Sequence, residues 1–345
     1  MNIVVILSVD LVNEEIMVNL YGKQVPRVEN NHSGCTLCMY LSSLLGGGMK
    51  IFISGGTGFV GGHLCRELQS RGHTVRLLVH SARGASNRNE AELVSGDVTD
   101  ADSCIKGAEG CDAVINLVGI IREFPQRGVT FSRLHVEATR NMIEGARQNG
   151  IKRYLQMSAL GSRPDAVSGY HRSKYQAEEL VVASGLDHTI FRPSLIFGPE
   201  DAFVNMLAGF IRRVSIVPVI GDGKYRLQPI AADDVAKCFA LSLEKPETVG
   251  KTYTLCGADR LSYLEVVDAV SRAMGRSLVL KLKNPLMLMK LVTPVLEQFP
   301  FYPVTSDQIT MLLEESICDG SWQETFGFEP VRFEEGIRLY LGQGS

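Results

Sequence analysis

A glycine-rich stretch near residue 55 constrains the fold of this chain more than any other feature of the sequence. Residues 50–54, KIFIS, form a short apolar run typical of a buried parallel strand. GGTGFVGG follows at once, and Val60, Leu64 and Leu68 then recur at helical spacing until Gly72. The order of strand, glycine loop and helix predicts the first unit of a doubly wound parallel sheet.

The spacing of these glycines is typical of a dinucleotide site. Gly56, Gly58 and Gly61 satisfy GxGxxG, and Gly55 with the last two satisfies GxxGxxG. A pyrophosphate has to approach backbone N–H groups at a helix N-terminus, where a Cβ would block it. We predict that the cofactor is bound by the whole loop, which comprises Gly55, Gly56, Thr57, Gly58, Phe59, Val60 and Gly61. The alternative is an ordinary glycine turn.

The end of the second strand bears on which dinucleotide binds. NAD sites usually place Asp or Glu there, about twenty residues past the glycines, to hold the ribose 2′-hydroxyl. This sequence has Val79, His80 and Ser81 instead, with Arg76 and Arg83 nearby. The missing carboxylate and the guanidinium groups favour NADP(H) over NAD(H), with Arg83 as the predicted 2′-phosphate ligand. The alternative is that these arginines are solvated surface residues.

Three further strands are predicted downstream. AELVSGDVTD gives a strand ending at Asp97 and Val98, CDAVINLVGI a strand with Asn116 and Gly119 at its carboxyl end, and KRYLQMSALGS a fifth strand after a helix over 131–148. Strands that alternate with helices in this way predict the α/β class and a doubly wound parallel, or Rossmann, sheet. Ligands bind beyond the carboxyl ends of such strands, so these four residues are predicted to line one crevice.

Tyr170 and Lys174, in the stretch SGYHRSKYQAEE, lie four residues apart and share one face of a predicted helix. A free tyrosine has a pKa near 10. A lysine ammonium one turn away, together with a positively charged nicotinamide, would lower the pKa of the phenol. Tyr170 would then donate a proton to a carbonyl oxygen or accept one from an alcohol, while Lys174 also binds the nicotinamide ribose. The spacing is common by chance, so two solvated helix residues are the alternative.

Composition excludes some classes of function. The chain of 345 residues has a net charge of −3, which argues against a nucleic-acid-binding protein. No apolar run is long enough to predict a membrane span. The eight cysteines are scattered, which fits a reducing, cytoplasmic location, and the lone CxxC at Cys35 and Cys38 has no partner motif. We predict no metal site.

The sequence also suggests a domain organisation. Residues 1–48 are predicted to be a loosely ordered extension ahead of a natural start at Met49. Residues 49–199 are predicted to form the NAD(P)-binding domain, to which 228–256 return. Residues 200–227 and 257–345 are predicted to form a smaller α/β substrate cap.

Several expectations concern residues outside the glycine crevice. The apolar segment 284–304 is predicted to be the core of the cap; the alternatives are a lining for a lipid-like substrate such as a quinone, or a surface that docks on a membrane or a partner. Asp233 or Asp234 is predicted to cap a helix. His63 and His73 are predicted to be helix-surface or turn residues.

Taken together, these motifs resemble the extended and atypical branches of the short-chain dehydrogenase/reductase superfamily. SGGTGFVGGHL, SGDVTD, INLVGI, YHRSK, FRPSLIFGP and GDGKYRLQPIAADDVA occur in the family order, and the resemblance covers 49–345. Within the superfamily the sequence looks most like the group of the accessory subunit of mitochondrial respiratory complex I and its bacterial relatives. That group is associated with tightly held NADP(H) rather than with turnover of a known substrate.

The resemblance implies roles for individual residues. It places Gly55, Gly58 and Gly61 at the pyrophosphate, Asp97 and Val98 at the adenine, Asn116 and Gly119 along the cofactor, Tyr170 and Lys174 at the catalytic pair, and Arg192, Pro193 and Ser194 near the nicotinamide. One departure is that the usual Ser-Ser pair after strand five reads Met157-Ser158-Ala159. Ser158 is therefore the candidate that polarises a substrate carbonyl, with Ser162 as the alternative.

Two functions remain open on the sequence. The first is an oxidoreductase that moves hydride between NADP(H) and a carbonyl or alcohol of a small, quinone-like or isoprenoid-like substrate. The second is a non-catalytic accessory, assembly or redox-sensing subunit related to respiratory complex I or to ubiquinone biosynthesis. The first implies a small or lipid-like partner; the second implies association with a respiratory complex or with a membrane surface.

Overall fold

The computed structural model describes residues 8–12, 15–20, 23–24, 48–80, 91–276, 278–297 and 304–342. The chain divides into two compact units, Met1–Gly48 and Met49–Ser345. In the first unit the described residues form an antiparallel sheet of the strands β1 (Ser8–Val12), β2 (Glu15–Leu20) and β3 (Lys23–Gln24). That residues 1–48 are loosely ordered stays a prediction.

The strands of the second unit are short and mostly parallel. In chain order they are β4 (Lys50–Ser54), β5 (Thr74–Val79), β6 (Glu92–Ser95), β7 (Ala113–Asn116), β8 (Arg153–Met157), β9 (Asp187–Pro193), β10 (Ile196–Phe197), β11 (Ile216–Ile220), β12 (Arg226–Leu227), β13 (Ile230–Ala231), β14 (Lys251–Leu255), β15 (Leu261–Ser262) and β16 (Leu280–Asn284).

Helices alternate with these strands. They are α1 (Phe59–Ser70), α2 (Ala101–Ala108), α3 (Ala138–Gln148), α4 (Gly169–Ala183), α5 (Ala202–Val214), α6 (Ala232–Glu244), α7 (Tyr263–Ala273), α8 (Leu286–Leu296), α9 (Ser306–Leu313), α10 (Trp322–Phe326) and α11 (Phe333–Leu341). One turn of π-helix, Ser132–Glu137, leads into α3, and two 3-10 turns lie at Pro125–Arg127 and Pro246–Thr248.

Seven of the strands form one parallel sheet in the order β14-β9-β8-β7-β4-β5-β6. The order reverses between β4 and β7, so the carboxyl ends of these two strands frame the crevice in which ligands of such sheets bind. The core of the sheet includes the fully buried Ile51, Phe52 and Ile53 of β4. Each such side chain contributes about 1.5–3 kcal/mol by leaving water. The predicted doubly wound parallel sheet is confirmed.

The remaining elements build a second hydrophobic core beside the sheet. Val204 and Leu207 of α5, Val266 and Val270 of α7 and Ile337 of α11 pack together there. The chain then returns, since α6 packs on α1 and β14 pairs with β9. Residues 49–345 form one compact unit, so the division into a nucleotide domain and a cap stays a prediction.

Two local expectations are corrected by side-chain chemistry. The third strand ends at Ser95, not at Asp97 and Val98, because Asp97 accepts hydrogen bonds from the N–H and the hydroxyl of Thr99, both at 2.8 Å, and so turns the chain. Asp233 and Asp234 do not cap α6, whose N-cap is Ala231.

These two aspartates join other elements instead. Asp233 pairs with His63 of α1, and Asp234 accepts a hydrogen bond from the N–H of Val331 at 2.8 Å. His63 is therefore buried, and its prediction as a surface residue is wrong. His73 is half-buried and accepts a hydrogen bond from the N–H of Met49 through Nδ1.

The prediction that segment 284–304 is the core of the cap is wrong for α8. Met287, Leu291 and Val295 are 82%, 74% and 61% exposed, and they lie one turn apart on a single face. Among the residues of this helix whose burial is described, the polar Thr293 is the buried one. The part of the segment at 298–303 lies outside the described residues.

Two of the cysteines are paired. Cys256 and Cys318 form a disulfide with their Cα atoms 6.0 Å apart, which the scattered cysteines did not predict. Cys65, Cys104, Cys111 and Cys238 are buried, and none of them forms a disulfide with another described residue. The CxxC at residues 35–38 lies outside the described residues. No helix in the described parts of the chain is long and apolar enough to cross a membrane.

Candidate functional site

The glycine loop packs too closely on itself for side chains. Gly55 has a φ of +74°, and a Cβ there would lie 3.0 Å from the backbone of Leu117 and Val118. A Cβ at Gly61 would lie 2.5 Å from the carbonyl oxygen of Gly55. At Gly58 a Cβ would meet only the Gly55 oxygen, at 3.2 Å, so the space that a side chain would fill stays open. These glycines fit a pyrophosphate at the start of α1.

A cavity of about 370 Å³ opens beside this loop. It is lined by residues from the ends of β4, β5, β6 and β7 and from the segment before α3: Ser54, Gly55, Thr57, Leu78, His80, Gly96, Asp97, Val98, Thr99, Val118, Arg127, Gly128, Val129, Arg133 and Leu134. The predicted Gly55, Thr57, Asp97 and Val98 are thus brought together at the edge of the sheet where a dinucleotide is expected.

The residues that bear on the 2′-phosphate are only partly described. His80 lies at the end of β5, its side chain is 86% exposed, and its Nε2 is 3.7 Å from Asp97 Oδ2. Arg76 does not reach the cavity lining, because it donates hydrogen bonds to the carbonyl oxygens of Gly107 and Glu109 and to the Glu92 carboxylate. Arg83 lies outside the described residues.

The buried side chain of Asn116 connects residues that lie around the crevice through hydrogen bonds. Its buried amide accepts hydrogen bonds from the Ser54 hydroxyl at 2.9 Å and from the Val118 N–H at 3.1 Å, and it donates to Thr139 and Gln156. The side chain therefore fixes the loop after β7 and is not directed at a ligand. Sequence reasoning placed this residue correctly at a strand end but could not show that its amide is fully engaged.

The side chain of Lys174, on α4, contacts the loop that follows β7. Its side chain is buried, and Nζ donates hydrogen bonds to the carbonyl oxygens of Val118, at 3.0 Å, and Met157, at 3.3 Å. Gly119 is what makes room for it, because a Cβ there would lie 2.9 Å from Nζ. Burial lowers the pKa of Lys174 to about 8, although the Glu178 carboxylate acts in the opposite direction.

Tyr170 stands one turn before Lys174 at the start of α4. Its ring makes edge contacts with His135 and His171, with centroids 5.4 Å apart in each case, and with Phe131 at 6.0 Å. Burial raises the pKa of Tyr170 to about 12. Lys174 alone does not offset this effect, because its ammonium group is directed to backbone carbonyls and desolvation dominates. The lowering expected from Lys174 together with a positively charged nicotinamide stays a prediction.

Ser158 is not free to polarise a carbonyl. Its buried hydroxyl donates a hydrogen bond to the Glu178 carboxylate and lies 3.2 Å from the hydroxyl of Ser162. Arg192 binds both oxygens of the same carboxylate, with its Nε 2.8 Å from Oε1, and this pairing raises the pKa of Arg192. Pro193, the last residue of β9, is buried beside this pair. Ser158 and Arg192 are thus brought together by Glu178.

Sequence reasoning missed His135 and Glu178. His135 is buried, accepts a hydrogen bond from the Ile120 N–H at 3.1 Å through Nε2, and lies 2.8 Å from the Ser173 hydroxyl through Nδ1. Burial lowers its pKa to about 2, so the ring beside Tyr170 is neutral. Glu178 could have been found, because it follows Lys174 by one more helical turn on the same face.

Asp307 of α9 caps the helix that carries Tyr170. Its carboxylate accepts hydrogen bonds from the N–H groups of Gly169, at 2.8 Å, and Tyr170, at 3.1 Å, and from the Ser168 hydroxyl at 3.0 Å. A carboxylate at a helix N-terminus also interacts favourably with the helix dipole. No local sequence signal could have found this contact, because Gly169 and Asp307 are 138 positions apart.

The fold and the site define a dinucleotide-binding protein of the Rossmann type. The chain belongs to the NAD dependent epimerase/dehydratase family, whose pattern matches residues 51–256. The UDP-glucose 4-epimerase of Thermus thermophilus, solved in complex with NAD, has the same fold, with a TM-score of 0.68, 20% identity, and coverage of 86% of this chain and 100% of that one. The predicted family resemblance is confirmed.

The curated relatives fall into two groups. NADH dehydrogenase [ubiquinone] 1 alpha subcomplex subunit 9, mitochondrial, of Arabidopsis thaliana is 30% identical over 279 residues, which is 72% of this chain and 67% of that protein. A ceramide reductase of Caulobacter vibrioides is 27% identical over 238 residues, 68% of this chain and 74% of the relative. The family and these relatives make the chain an NAD(P)-binding, oxidoreductase-like protein.

Proposed function

We propose that the protein is an NADP(H)-dependent oxidoreductase that interconverts a carbonyl and an alcohol on a lipid-like substrate. The observation that carries the proposal is that Tyr170 and Lys174 lie on one helix, with Lys174 Nζ hydrogen-bonded to the carbonyl oxygen of Val118 beside the glycine loop. A ceramide reductase among the relatives supports a lipid-like carbonyl.

The residues present fit the cofactor, and different residues are proposed to bind different parts of it. Gly58 leaves space for the pyrophosphate, Gly55 and Gly61 allow the close backbone packing that shapes the loop, and Asp97 and Val98 line the end that would take the adenine. The sequence has no Asp or Glu at positions 79–81, directly after β5, and this supports NADP(H), with Arg83 as the proposed partner of the 2′-phosphate. Arg192 and Pro193 are proposed to border the nicotinamide.

The proposed chemistry needs one proton from the protein. A bound nicotinamide dinucleotide supplies or takes up the hydride at the substrate carbon. Tyr170 donates its phenolic proton to the carbonyl oxygen in reduction and recovers it from the alcohol in oxidation. Lys174, whose Nζ donates hydrogen bonds to the carbonyl oxygens of Val118 and Met157, is proposed to bind the nicotinamide ribose as well. A phenolate at Tyr170 would be stabilised by the charge of the bound nicotinamide together with that of Lys174, one turn away.

The phenol of Tyr170 has to be the proton donor if the proposal is correct. We expect Tyr170→Phe to lower kcat for NADPH oxidation, with a panel of long-chain ketones, aldehydes and quinones, by about 100-fold or more while NADPH binding measured by fluorescence persists. Tyr175→Phe, on the same helix, is the matched control and keeps full activity. Equal activity of Tyr170→Phe and the unaltered protein contradicts the proposal.

A second candidate is a non-catalytic accessory subunit in which the nucleotide stabilises the fold for a partner. It is favoured by the relative in the NADH dehydrogenase complex and by the high pKa of Tyr170. It predicts that Tyr170→Phe changes nothing, whereas Gly58→Asp, which fills the open space at the start of α1, lowers Tm and releases the partner. A respiratory complex is the partner that this candidate implies.

A further inference from the structure

Two neighbouring elements of the second unit leave an apolar surface uncovered. In the two-stranded sheet of β11 and β16, Ile216 is paired with Leu280, and Leu282 follows two residues later on the same side. These three side chains are 37%, 60% and 55% exposed. In α8, which follows β16 directly, the exposed apolar residues form a stripe of Met287, Leu291 and Val295. We call these six residues the apolar face.

Isolated exposed apolar residues are ordinary, but two sets of them on consecutive elements, separated here by Pro285 alone, indicate an interaction surface. Leu278, just before β16, is 85% exposed and extends the set along the chain. In a strand that is covered on one side, polar residues face water. Here, β16 exposes Leu280 and Leu282 instead, while Lys281 between them is only partly exposed.

The charged residues on the segments that carry the apolar face are basic, although Asp222 and Glu297 directly follow these segments. The segments 202–221 and 276–296, which carry the face, contain six basic and no acidic residues, in a chain whose net charge is −3. The basic residues are Arg212, Arg213, Arg276, Lys281, Lys283 and Lys290. Of these, Lys281 pairs with Asp268 at 2.6 Å; none of the other five forms an ion pair with another described residue. An apolar stripe flanked by such cations is complementary to a surface that has a negatively charged outer layer and an apolar interior.

We propose that the apolar face docks this protein onto a membrane surface that contains anionic phospholipids. Met287, Leu291 and Val295 would insert at the level of the headgroups, with α8 lying in the plane of the interface. Lys283, Lys290 and the two arginines at the end of α5 would contact the headgroup phosphates. The docking needs no nucleotide and no catalytic residue, so it stands apart from the proposed function.

The end of α8 lies next to the crevice. The carbonyl oxygen of Glu297 accepts a hydrogen bond from Arg122 at 2.9 Å, three residues past Gly119, and the Glu297 carboxylate accepts one from the N–H of Ser306 at the start of α9. The same helix α9 carries Asp307, which caps the helix of Tyr170. A lipid-like substrate would therefore pass from the membrane to Tyr170 over a short path, a consequence that rests on the proposed function.

Vesicle binding tests the docking with the full chain. We expect the protein to co-sediment with vesicles of phosphatidylcholine mixed with phosphatidylglycerol. Its affinity for vesicles of phosphatidylcholine alone should be lower by about tenfold or more. Met287→Glu combined with Leu291→Glu should lower the affinity for the anionic vesicles about tenfold or more. Leu339→Glu, an equally exposed leucine of α11, is the matched control and should bind normally.

The charge component has its own variant. Lys290→Glu should weaken binding to the anionic vesicles and reduce its salt dependence, whereas Lys106→Glu on α2 should not. Protein that stays in the supernatant with both vesicle types overturns the proposal, as does unchanged binding of the Met287→Glu and Leu291→Glu variant. A dimer in lipid-free solution that this variant dissociates also overturns it, because a second copy would then cover the face. NADPH binding measured on the same samples tests the proposed function separately.

Discussion

The hydroxyl of Ser158 donates a hydrogen bond to the buried carboxylate of Glu178. The same carboxylate is held on its other side by Arg192, so three residues from β9, α4 and the end of β8 meet at one charge. A serine whose proton is engaged in this way accepts, rather than donates, any further hydrogen bond. Where the family pattern has a Ser-Ser pair, Ser158 is thus bound to Glu178, and its catalytic role stays a prediction.

Replacement of Glu178 should destabilise the fold. Glu178→Gln keeps the shape but removes the charge that Arg192 and Ser158 both bind, and we expect a loss of about 2 kcal/mol in the free energy of unfolding. Urea denaturation measures it. Glu179→Gln, at the neighbouring exposed position, is the control and should change the free energy by about 0.5 kcal/mol or less. A Glu178→Gln variant as stable as this control would show that the buried charge is not required.

Lys174 should give the stability a distinct pH dependence. Burial places its pKa near 8 in the folded protein and below its value of about 10.5 in the unfolded chain, so between these values the unfolded state binds more protons and stability rises with pH. Between pH 8 and 10 the unaltered protein should gain about 2 kcal/mol over Lys174→Met. Lys152→Met, an exposed lysine, should follow the unaltered protein. Parallel curves for Lys174→Met and the unaltered protein would mean that this lysine keeps an ordinary pKa.

Asp307 should couple the C-terminal region to the helix of Tyr170. Asp307→Ala leaves the N–H groups of Gly169 and Tyr170 without their carboxylate, and we expect a loss of about 1 kcal/mol in stability. If the proposed oxidoreductase activity is present, kcat should fall more than KM for NADPH rises. Glu315→Ala, an exposed neighbour on the same segment, should leave both unchanged. Unchanged stability and kcat in Asp307→Ala would remove this coupling.

The glycine loop should tolerate no side chain at Gly61. A Cβ there would lie 2.5 Å from the Gly55 oxygen and 2.6 Å from the Gly56 backbone, so Gly61→Ala has to displace the loop. We expect the Kd for NADP to rise about tenfold or more in calorimetry. Gly209→Ala in α5, where a Cβ meets nothing within 4 Å, is the control. Normal NADP affinity in Gly61→Ala would place the pyrophosphate elsewhere.

Local periodicity in the sequence predicted most of the fold and part of the candidate site. The strand at residues 50–54 and the apolar spacing of α1 are short-range signals, and they predicted β4 and its helix almost to the residue. The spacing of Tyr170 and Lys174 predicted their common face for the same reason. Glu178 lay within reach of the same reasoning, since helical spacing extends one turn further.

Contacts between segments that are distant in the sequence could not be predicted from local periodicity. His63 pairs with Asp233 across 170 positions, and nothing in either local pattern distinguishes an ion pair between helices from a surface histidine or a cap. For α8 apolar residues occur on every face and only Lys290 and Thr293 are polar, so periodicity could not predict which face is covered. The direction of the pKa change at Tyr170 depends on burial by Phe131 and His135, which only the folded structure supplies.

A crystal structure of the full chain grown with NADP tests the central claim most directly. We predict the pyrophosphate against Gly55–Gly61 at the start of α1, and the Tyr170 hydroxyl within hydrogen-bond distance of the nicotinamide ribose or of the substrate site above the ring. Density for NADP elsewhere, an empty crevice at saturating NADP, or a Tyr170 side chain turned into bulk solvent would contradict the account.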